Sequence, residues 1–156
     1  MQKKMLGKLA RLFETTPFVA HLGMRFASVE SGLVVLEVPF CQELIGNPEL
    51  PALHGGVISA LLDTCGGAAV WSQLGKGDRV STVDLRVDYL RPGRAETLFG
   101  TGRVIRLGNR VGVAELRAFH EGQEDGPVAM GTGVYNIRRA GAADSKELWD
   151  HVEEDS

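Results

Sequence analysis

A glycine pair and an aspartate in the middle of the chain have types and spacing suited to chemistry at a carbonyl group. Gly55 and Gly56 follow His54, and Asp63 lies nine residues past that histidine. The first N–H groups of a helix have no internal partners and carry the positive end of its dipole, so they attract a developing oxyanion. Glycine at this position removes the side chain that would block an approaching carbonyl group. The alternative is a plain loop-to-helix pair, or glycines that serve close packing.

Asp63 lies inside an otherwise apolar run of helical periodicity. Aspartate is a mediocre helix former, and its carboxylate is costly to bury unless it is satisfied. Its position therefore requires a reason: a structural pairing, exposure to solvent, or a function.

The two cysteines, Cys41 and Cys65, are too few for a disulfide framework or a zinc site. They are predicted to be reduced thiols of a cytosolic protein. A nucleophilic Cys65 is the alternative, but the sequence ties no histidine to it. The sequence has no metal-ligand spacing, and no glycine-rich dinucleotide loop follows a predicted strand. We therefore expect neither a metal nor a bound cofactor.

The elements that position these residues are one long helix and six strands. The run 54–74 predicts a helix that is apolar on most of its circumference and therefore lies in the interior. Its small residues at 66–69 would let a sheet approach closely. Strands are predicted over 24–30 and 33–40 as a hairpin, then over 81–89, 96–106, 110–121 and 127–138.

Hairpin-length connections predict antiparallel pairing of the successive strands. The first of the four later strands should present Val83, Leu85, Val87 and Tyr89 on one face. The segment 41–53 contains two prolines and a glycine and is predicted to be a loop. Because an antiparallel sheet with one buried face needs a covering layer, the sheet should wrap around the long helix in an α+β fold.

Length and composition favour one domain over 1–156, with a core of about 23–138 and a polar tail over 140–156. The segment 1–22 predicts an amphipathic helix, with Met5, Leu9, Leu12 and Phe13 on one stripe, and a helical turn that begins at Pro17. A net charge of -3 gives no general attraction to nucleic acid or an anionic membrane. No apolar run spans a bilayer and the first residues lack a signal-peptide core, so a cytoplasmic location is predicted.

The run 53–57 (LHGGV) together with Asp63, the preceding Asn47-Pro48 and the strand 81–92 (STVDLRVDYLRP) carries a family resemblance. It resembles the hotdog-fold thioesterases of the phenylacetate-pathway (PaaI-like) group, over roughly 23–137. The resemblance implies a hotdog fold, with an antiparallel sheet wrapped around one long central helix. It also implies hydrolysis of acyl-CoA thioesters, with coenzyme A as part of the substrate.

The resemblance further implies roles for individual residues. Asp63 would attack the thioester carbonyl or activate the water that does, and the sequence does not separate nucleophile from general base. The Gly55 N–H would bind the oxyanion. Thr82 stands where relatives carry a hydroxyl that orients water near the acid, and Thr64 is a second candidate for that task.

Two further residues are placed near the motif with less defined tasks. His54 would hold the loop that contains Asn47 or help to position substrate, or it is a structural histidine that bonds loop backbone. Asn47 resembles the family's loop Asn or Asp, although its spacing is one residue longer than in some members.

The spacing of Gly55 and Asp63 has a geometric consequence. Eight residues of straight helix correspond to about 12 Å of rise and about 80° of rotation, so one carbonyl group cannot touch both in the same chain. Two antiparallel helices would bring the start of one to the middle of the other. We therefore predict a homodimer with two shared sites, and a tetramer of two such dimers.

The phosphates of coenzyme A suit arginines on loops. Arg91 and Arg94 flank one turn, and Arg106 and Arg110 flank the turn Gly108-Asn109. Arg91, Asn109 and Arg110 are the predicted nucleotide contacts. The alternative for each arginine is an ordinary solvated turn charge.

Two other functions remain open from the sequence. A hotdog enoyl-CoA hydratase or dehydratase would place a catalytic histidine beside an acid and act on the β-carbon. A non-catalytic acyl-CoA binding protein would normally have lost the acid and gained a DNA-binding segment, and this chain has Asp63 and no basic appendage.

Overall fold

The computed structural model describes residues 2–141, apart from the side chains of residues 2–6 and 9. Its helices are α1 (Gln2–Glu14), α2 (Pro17–His21) and α3 (Gly55–Trp71). Its strands are β1 (Arg25–Glu30), β2 (Leu33–Val38), β3 (Ile45–Asn47), β4 (Ala52–Leu53), β5 (Arg79–Tyr89), β6 (Leu98–Leu107), β7 (Val111–Phe119) and β8 (Ala129–Arg138). None of the helices within this part of the chain is long and apolar enough to cross a membrane.

Six strands form one antiparallel sheet in the order β1-β2-β6-β7-β8-β5. The predicted pairing of successive strands is correct for β1 with β2, β6 with β7 and β7 with β8. It is wrong for β5 and β6, because β5 pairs with β8 at the sheet edge and β6 lies beside β2. The connection from β5 to β6 is fixed by the buried ring of His120, which follows β7. This ring accepts the Arg94 N–H at 2.9 Å and bonds the Thr97 carbonyl oxygen at 2.9 Å.

The prediction of a plain loop over 41–53 is also wrong in part. A 3₁₀ turn at Gln42–Leu44 is followed by β3 and β4, which pair with each other in a separate two-stranded sheet. This small hairpin is fastened to the start of α3, because the His54 N–H donates to the Leu44 carbonyl oxygen at 2.8 Å.

The long helix α3 lies in the interior, and the concave face of the sheet covers it, as the apolar circumference predicts. Leu61, Leu62 and Cys65 are fully buried. The close approach depends on glycines of the sheet as well as of the helix. A methyl group at Gly102 of β6 would lie 2.3 Å from the Cys65 carbonyl oxygen, and one at Gly66 would lie 2.1 Å from the Tyr135 hydroxyl.

The first two helices lie against one end of this core. Pro17 is at the first position of α2, as predicted, and Val19 of that helix is buried. Phe13 of α1 packs its ring edge-on against Phe26 and Trp71. Of the predicted apolar stripe, the side chains of Met5 and Leu9 lie outside the described residues, as does the tail beyond residue 141.

Asp78 ties the start of β5 to the end of β8. Its carboxylate accepts hydrogen bonds from the Arg139 guanidinium at 2.7 Å, the Ala140 N–H at 2.9 Å and the Gly75 N–H at 3.0 Å. Burial by itself raises the pKa of Asp78, but the Ala140 and Gly75 N–H groups and the Arg139 charge outweigh it, so the pKa lies below its ordinary value.

Candidate active site

Asp63 and Thr82 form a hydrogen-bonded pair at the surface of the core. The Thr82 hydroxyl donates to Asp63 Oδ1 at 2.8 Å, from β5 to α3. The Tyr135 hydroxyl donates to the Asp63 carbonyl oxygen at 3.2 Å and fixes the backbone at this turn of the helix. Burial, followed by the charge of Asp63, raises the pKa of Tyr135, so the phenol stays a neutral donor. Oδ2 of Asp63 accepts no hydrogen bond from the described residues, which leaves one carboxylate oxygen for a ligand.

A β-bulge in β5 is what turns Thr82 towards Asp63. Thr82 pairs with Tyr135 and Asp84 with Val134, so Val83 is an extra residue in the ladder. Its side chain is 65% exposed, and the prediction that it shares a face with Leu85, Val87 and Tyr89 is wrong for this residue. An extra residue shifts the alternation by one, so Thr82 before the bulge and Leu85 after it both face the helix.

A cavity of about 280 Å³ opens beside the Asp63 carboxylate. Four parts of the fold line it: α3 with Asp63, Thr64, Gly67 and Trp71; the start of β5 with Val80, Ser81 and Thr82; β8 with Tyr135; and the region of the first two helices with Phe13, Thr16 and Val19. The lining is mostly apolar, and Thr82 places a hydroxyl at its Asp63 end.

The start of α3 forms a second polar group around Gly55. His54 Nδ1 accepts the Gly56 N–H at 2.9 Å and caps the helix, so this nitrogen carries no proton. The hydroxyls of Ser59 and Tyr89 both bond the Gly55 carbonyl oxygen, at 3.0 and 3.2 Å, and they bond each other. The Gly55 N–H enters no hydrogen bond within residues 2–141, so it can donate to a ligand.

A larger cavity of about 470 Å³ lies at this end of the helix. His54, Gly56 and Val57 line it from α3, and Phe18 and Leu22 line it from the region of α2. One cavity therefore lies beside the predicted oxyanion donor Gly55, and the other lies beside the acid Asp63.

Gly55 and Asp63 are not brought together within one chain. Both belong to the single straight element α3, eight residues apart, which is about 12 Å along the helix axis. The structure pairs Asp63 with Thr82 and pairs Gly55 with His54.

The remaining predicted site residues lie apart from both groups. Asn47 is exposed, and its Oδ1 accepts the Glu49 N–H at 3.0 Å in a local turn. Arg91 is exposed on the β5–β6 connection, and the following Gly93 carbonyl oxygen accepts the Leu53 N–H at 2.9 Å, just before the start of α3.

Asn109 and Arg110 are exposed at the β6–β7 turn, near the other end of that helix, since Gly112 packs against Val70. The two predicted sets of nucleotide contacts therefore lie at opposite ends of α3 in one chain.

Comparison with known proteins identifies the family. A model described as the thioesterase superfamily matches residues 50–126. The medium/long-chain acyl-CoA thioesterase YigI of Escherichia coli is 35% identical over 134 residues, which cover 78% of this chain and 85% of YigI. The chain belongs to the thioesterase superfamily.

Solved structures of this superfamily agree in fold. A thioesterase-superfamily protein of Shewanella oneidensis is 34% identical with a TM-score of 0.77, covering 86% of this chain and 96% of its own. The PaaI protein from the phenylacetic acid degradation operon of Escherichia coli is 26% identical with a TM-score of 0.74, covering 86% and 96%. The predicted family, the hotdog fold and the thioesterase class are confirmed.

Within this thioesterase fold, Cys65 is unsuited to be a nucleophile. The thiol is fully buried, and burial raises its pKa far above the ordinary value, so a thiolate is strongly disfavoured. Among the described residues, no three His, Cys, Asp or Glu side chains are grouped as a metal site would require.

Sequence reasoning missed the residues that support the two polar groups. Alternation in β5 predicts only a strand face for Tyr89, whereas its hydroxyl donates to the Gly55 carbonyl oxygen. Ser59 follows Gly55 by one helical turn, and this spacing was a signal that could have identified it. Tyr135 had no local signal, because tertiary packing alone brings its hydroxyl to the Asp63 carbonyl oxygen.

Proposed function

We propose that this thioesterase hydrolyses acyl-CoA to a free acid and coenzyme A, with Asp63 as nucleophile or general base and the Gly55 N–H of a second subunit as oxyanion donor. The observation that carries the proposal is the Asp63 carboxylate, held by Thr82 through one oxygen and open through the other, at the mouth of a mostly apolar cavity. The name of its relative YigI, a medium/long-chain acyl-CoA thioesterase, supports this substrate class.

A thioester needs two things from the enzyme at its carbonyl carbon: a donor for the oxyanion and an attacking group. As general base, Asp63 takes a proton from water while the water oxygen bonds to the carbonyl carbon. As nucleophile, its free oxygen bonds to that carbon and water later hydrolyses the anhydride. In both routes the carbon–sulfur bond breaks, and the thiolate of coenzyme A leaves and is protonated.

Thr82 orients the carboxylate in either route, because its hydrogen bond occupies Oδ1 and directs Oδ2 to the reacting carbon. His54 caps the start of α3, because its Nδ1 accepts the Gly56 N–H. The neighbouring Gly55 N–H is then the donor that faces the ligand. Preorganised backbone donors of this kind stabilise negative charge as it develops.

A homodimer follows from the distance between donor and acid. The edge strand β5 supports it, because its outer side pairs with no other strand among residues 2–141 and it carries the exposed Val83. An open strand edge of this length presents unpaired N–H and C=O groups that a second strand can bond. A second exposed apolar group at Ile105, Leu107 and Val111 supports a further contact between dimers, as the tetramer prediction requires.

The nucleotide of coenzyme A would lie near the β5–β6 connection, which carries Arg91, and the β6–β7 turn, which carries Asn109 and Arg110. Since Arg91 and Arg110 lie at opposite ends of α3, which is about 24 Å long, both can approach one nucleotide only from different subunits. Arg94 is a weaker candidate, because it already pairs with Glu96 at 3.0 Å. Cytoplasmic location stays a prediction within this proposal.

No observation favours the hydratase alternative. It needs a histidine that acts as acid or base, and the His54 ring instead caps α3, because its Nδ1 accepts the Gly56 N–H. The binding-only alternative does not explain why a carboxylate is oriented by Thr82 at a cavity mouth.

The test is release of free thiol from a panel of acyl-CoA substrates by the wild-type chain and by Asp63→Asn. Asp84→Asn is the matched control, since Asp84 is an exposed acid on the same strand as Thr82. We expect turnover by the wild type and the control and its loss in Asp63→Asn. Hydration of crotonyl-CoA without thiol release would overturn the proposal.

A further inference from the structure

Two adjacent glycines of α3 have different surroundings. A methyl group added at Gly66 would lie 2.1 Å from the Tyr135 hydroxyl and 2.8 Å from Leu116, so packing requires glycine there. A methyl group at Gly67 would lie 3.6 Å from the Tyr135 ring, which is an ordinary contact. Glycine in a helix interior is less favourable than alanine. Packing of the helix against the sheet therefore explains Gly66 and leaves Gly67 without a structural reason.

The space above Gly67 is the cavity of about 280 Å³ that begins at the acid. Asp63, Gly67 and Trp71 follow one another at intervals of four residues, so they line the same side of the helix over about 12 Å. The end at Asp63 is polar through Thr82. The other end is bounded by Phe13 and Trp71, whose ring centroids are 5.3 Å apart in an edge-on contact. We call this cavity the acyl slot.

We propose that the acyl slot holds the straight hydrocarbon chain of the substrate, that Gly67 leaves the middle of the slot open, and that the Phe13–Trp71 pair limits the chain length. This inference rests on the proposed thioesterase site, because it places the thioester carbonyl at Asp63. The chain then runs from the carboxylate, past Gly67, to the aromatic pair.

The dimensions of the slot limit the chain to about ten carbons. Carbon–carbon bonds of about 1.5 Å at tetrahedral angles advance about 1.25 Å per carbon in an extended chain, so about 12 Å accommodates about ten carbons. Medium-length, unbranched acyl groups are thus the predicted substrate class.

The test compares kcat/KM along a series of straight-chain acyl-CoA substrates, from butanoyl to hexadecanoyl. Gly67→Leu fills the middle of the slot, and we expect the ratio of decanoyl-CoA to butanoyl-CoA kcat/KM to fall by about 100-fold, since each methylene that loses its place costs about 10-fold. Phe13→Ala opens the far end, and the preferred length should move towards dodecanoyl and tetradecanoyl. Gly7→Ala is the matched control, a helix glycine of α1 with no described atom within 4 Å of the added methyl group; its ratio should equal that of the wild type.

A second readout is independent of turnover. Decanoate binding, measured by calorimetry, should be detectable in the wild type and at least 10-fold weaker in Gly67→Leu. Equal decanoate affinities, or a Gly67→Leu chain-length profile parallel to the wild type, would overturn the acyl slot while leaving the thioesterase proposal intact. Decanoate binding that depends on Gly67 without turnover of any acyl-CoA would instead overturn the proposed function and keep the slot.

Discussion

Mixing two inactive variants tests whether donor and acid come from different subunits. Asp63→Asn removes the base or nucleophile and keeps the size of the side chain, and it should lower kcat by about 10² to 10⁴. Gly55→Pro removes the proposed oxyanion donor and should lower kcat by about 10² to 10³. Each variant alone should therefore be nearly inactive.

The structure indicates that proline fits at residue 55. This is the first position of α3, where proline is tolerated because the N–H has no helical partner. The preceding His54 has φ -62° and ψ 134°, an extended conformation that suits a residue before proline. The nearest Tyr89 atom is 3.5 Å from an added Cβ, an ordinary contact. Gly55→Ala, which keeps the N–H, is the matched control and should retain more activity than Gly55→Pro.

The magnitude follows from twofold symmetry. Equal amounts of the two variants, unfolded and refolded together, give about one half hybrid dimers, and each hybrid has one site with both intact parts and one site with neither. Thiol release should recover to about a quarter of the wild-type value, far above either parent. No recovery in mixtures that light scattering shows to contain dimers would refute the shared site, and so would an active monomer.

Three further outcomes are expected. Thr82→Val should lower kcat about 10-fold by releasing the Asp63 carboxylate, as a lost hydrogen bond to a charged group does, whereas Thr82→Ser should retain most of it in the same thiol-release assay. The double variant Arg91→Ala, Arg110→Ala should raise KM for acyl-CoA but not for thioesters that lack the nucleotide; equal losses on both would assign these arginines to the fold. Asp78→Asn should lower the free energy of unfolding by about 1–2 kcal/mol at pH 7. Because the pKa of Asp78 is lowered in the folded chain, this contribution is complete above its unfolded pKa of about 3.9 and is lost as the pH falls through the folded value. Urea unfolding at several pH values should show that the difference in free energy of unfolding between the wild type and Asp78→Asn narrows towards pH 3. A difference that does not change with pH would contradict this role of Asp78.

The sequence alone was enough to predict the long interior helix, most of the strands and the glycine–aspartate motif. These are local signals: the apolar circumference of 54–74, alternation in the strands, and turn residues between them. The offset of Gly55 from Asp63 also needed only helix geometry, because rise and rotation per residue are constant. The predicted dimer therefore rests on helix geometry alone.

Strand order and the surroundings of the acid were decided only by the tertiary structure. Local alternation contains no information on which strand β5 pairs with, and a connection of eight residues was long enough to carry the chain from the β5 edge to β6 beside β2. Strict alternation puts Val83 on the same face as Leu85, Val87 and Tyr89, and one extra residue in the ladder moves it off that face. Phe13 reaches the acyl slot from a helix some fifty residues before Asp63. Contacts between residues so far apart in the chain depend on how layers pack, and periodicity within one element cannot specify them.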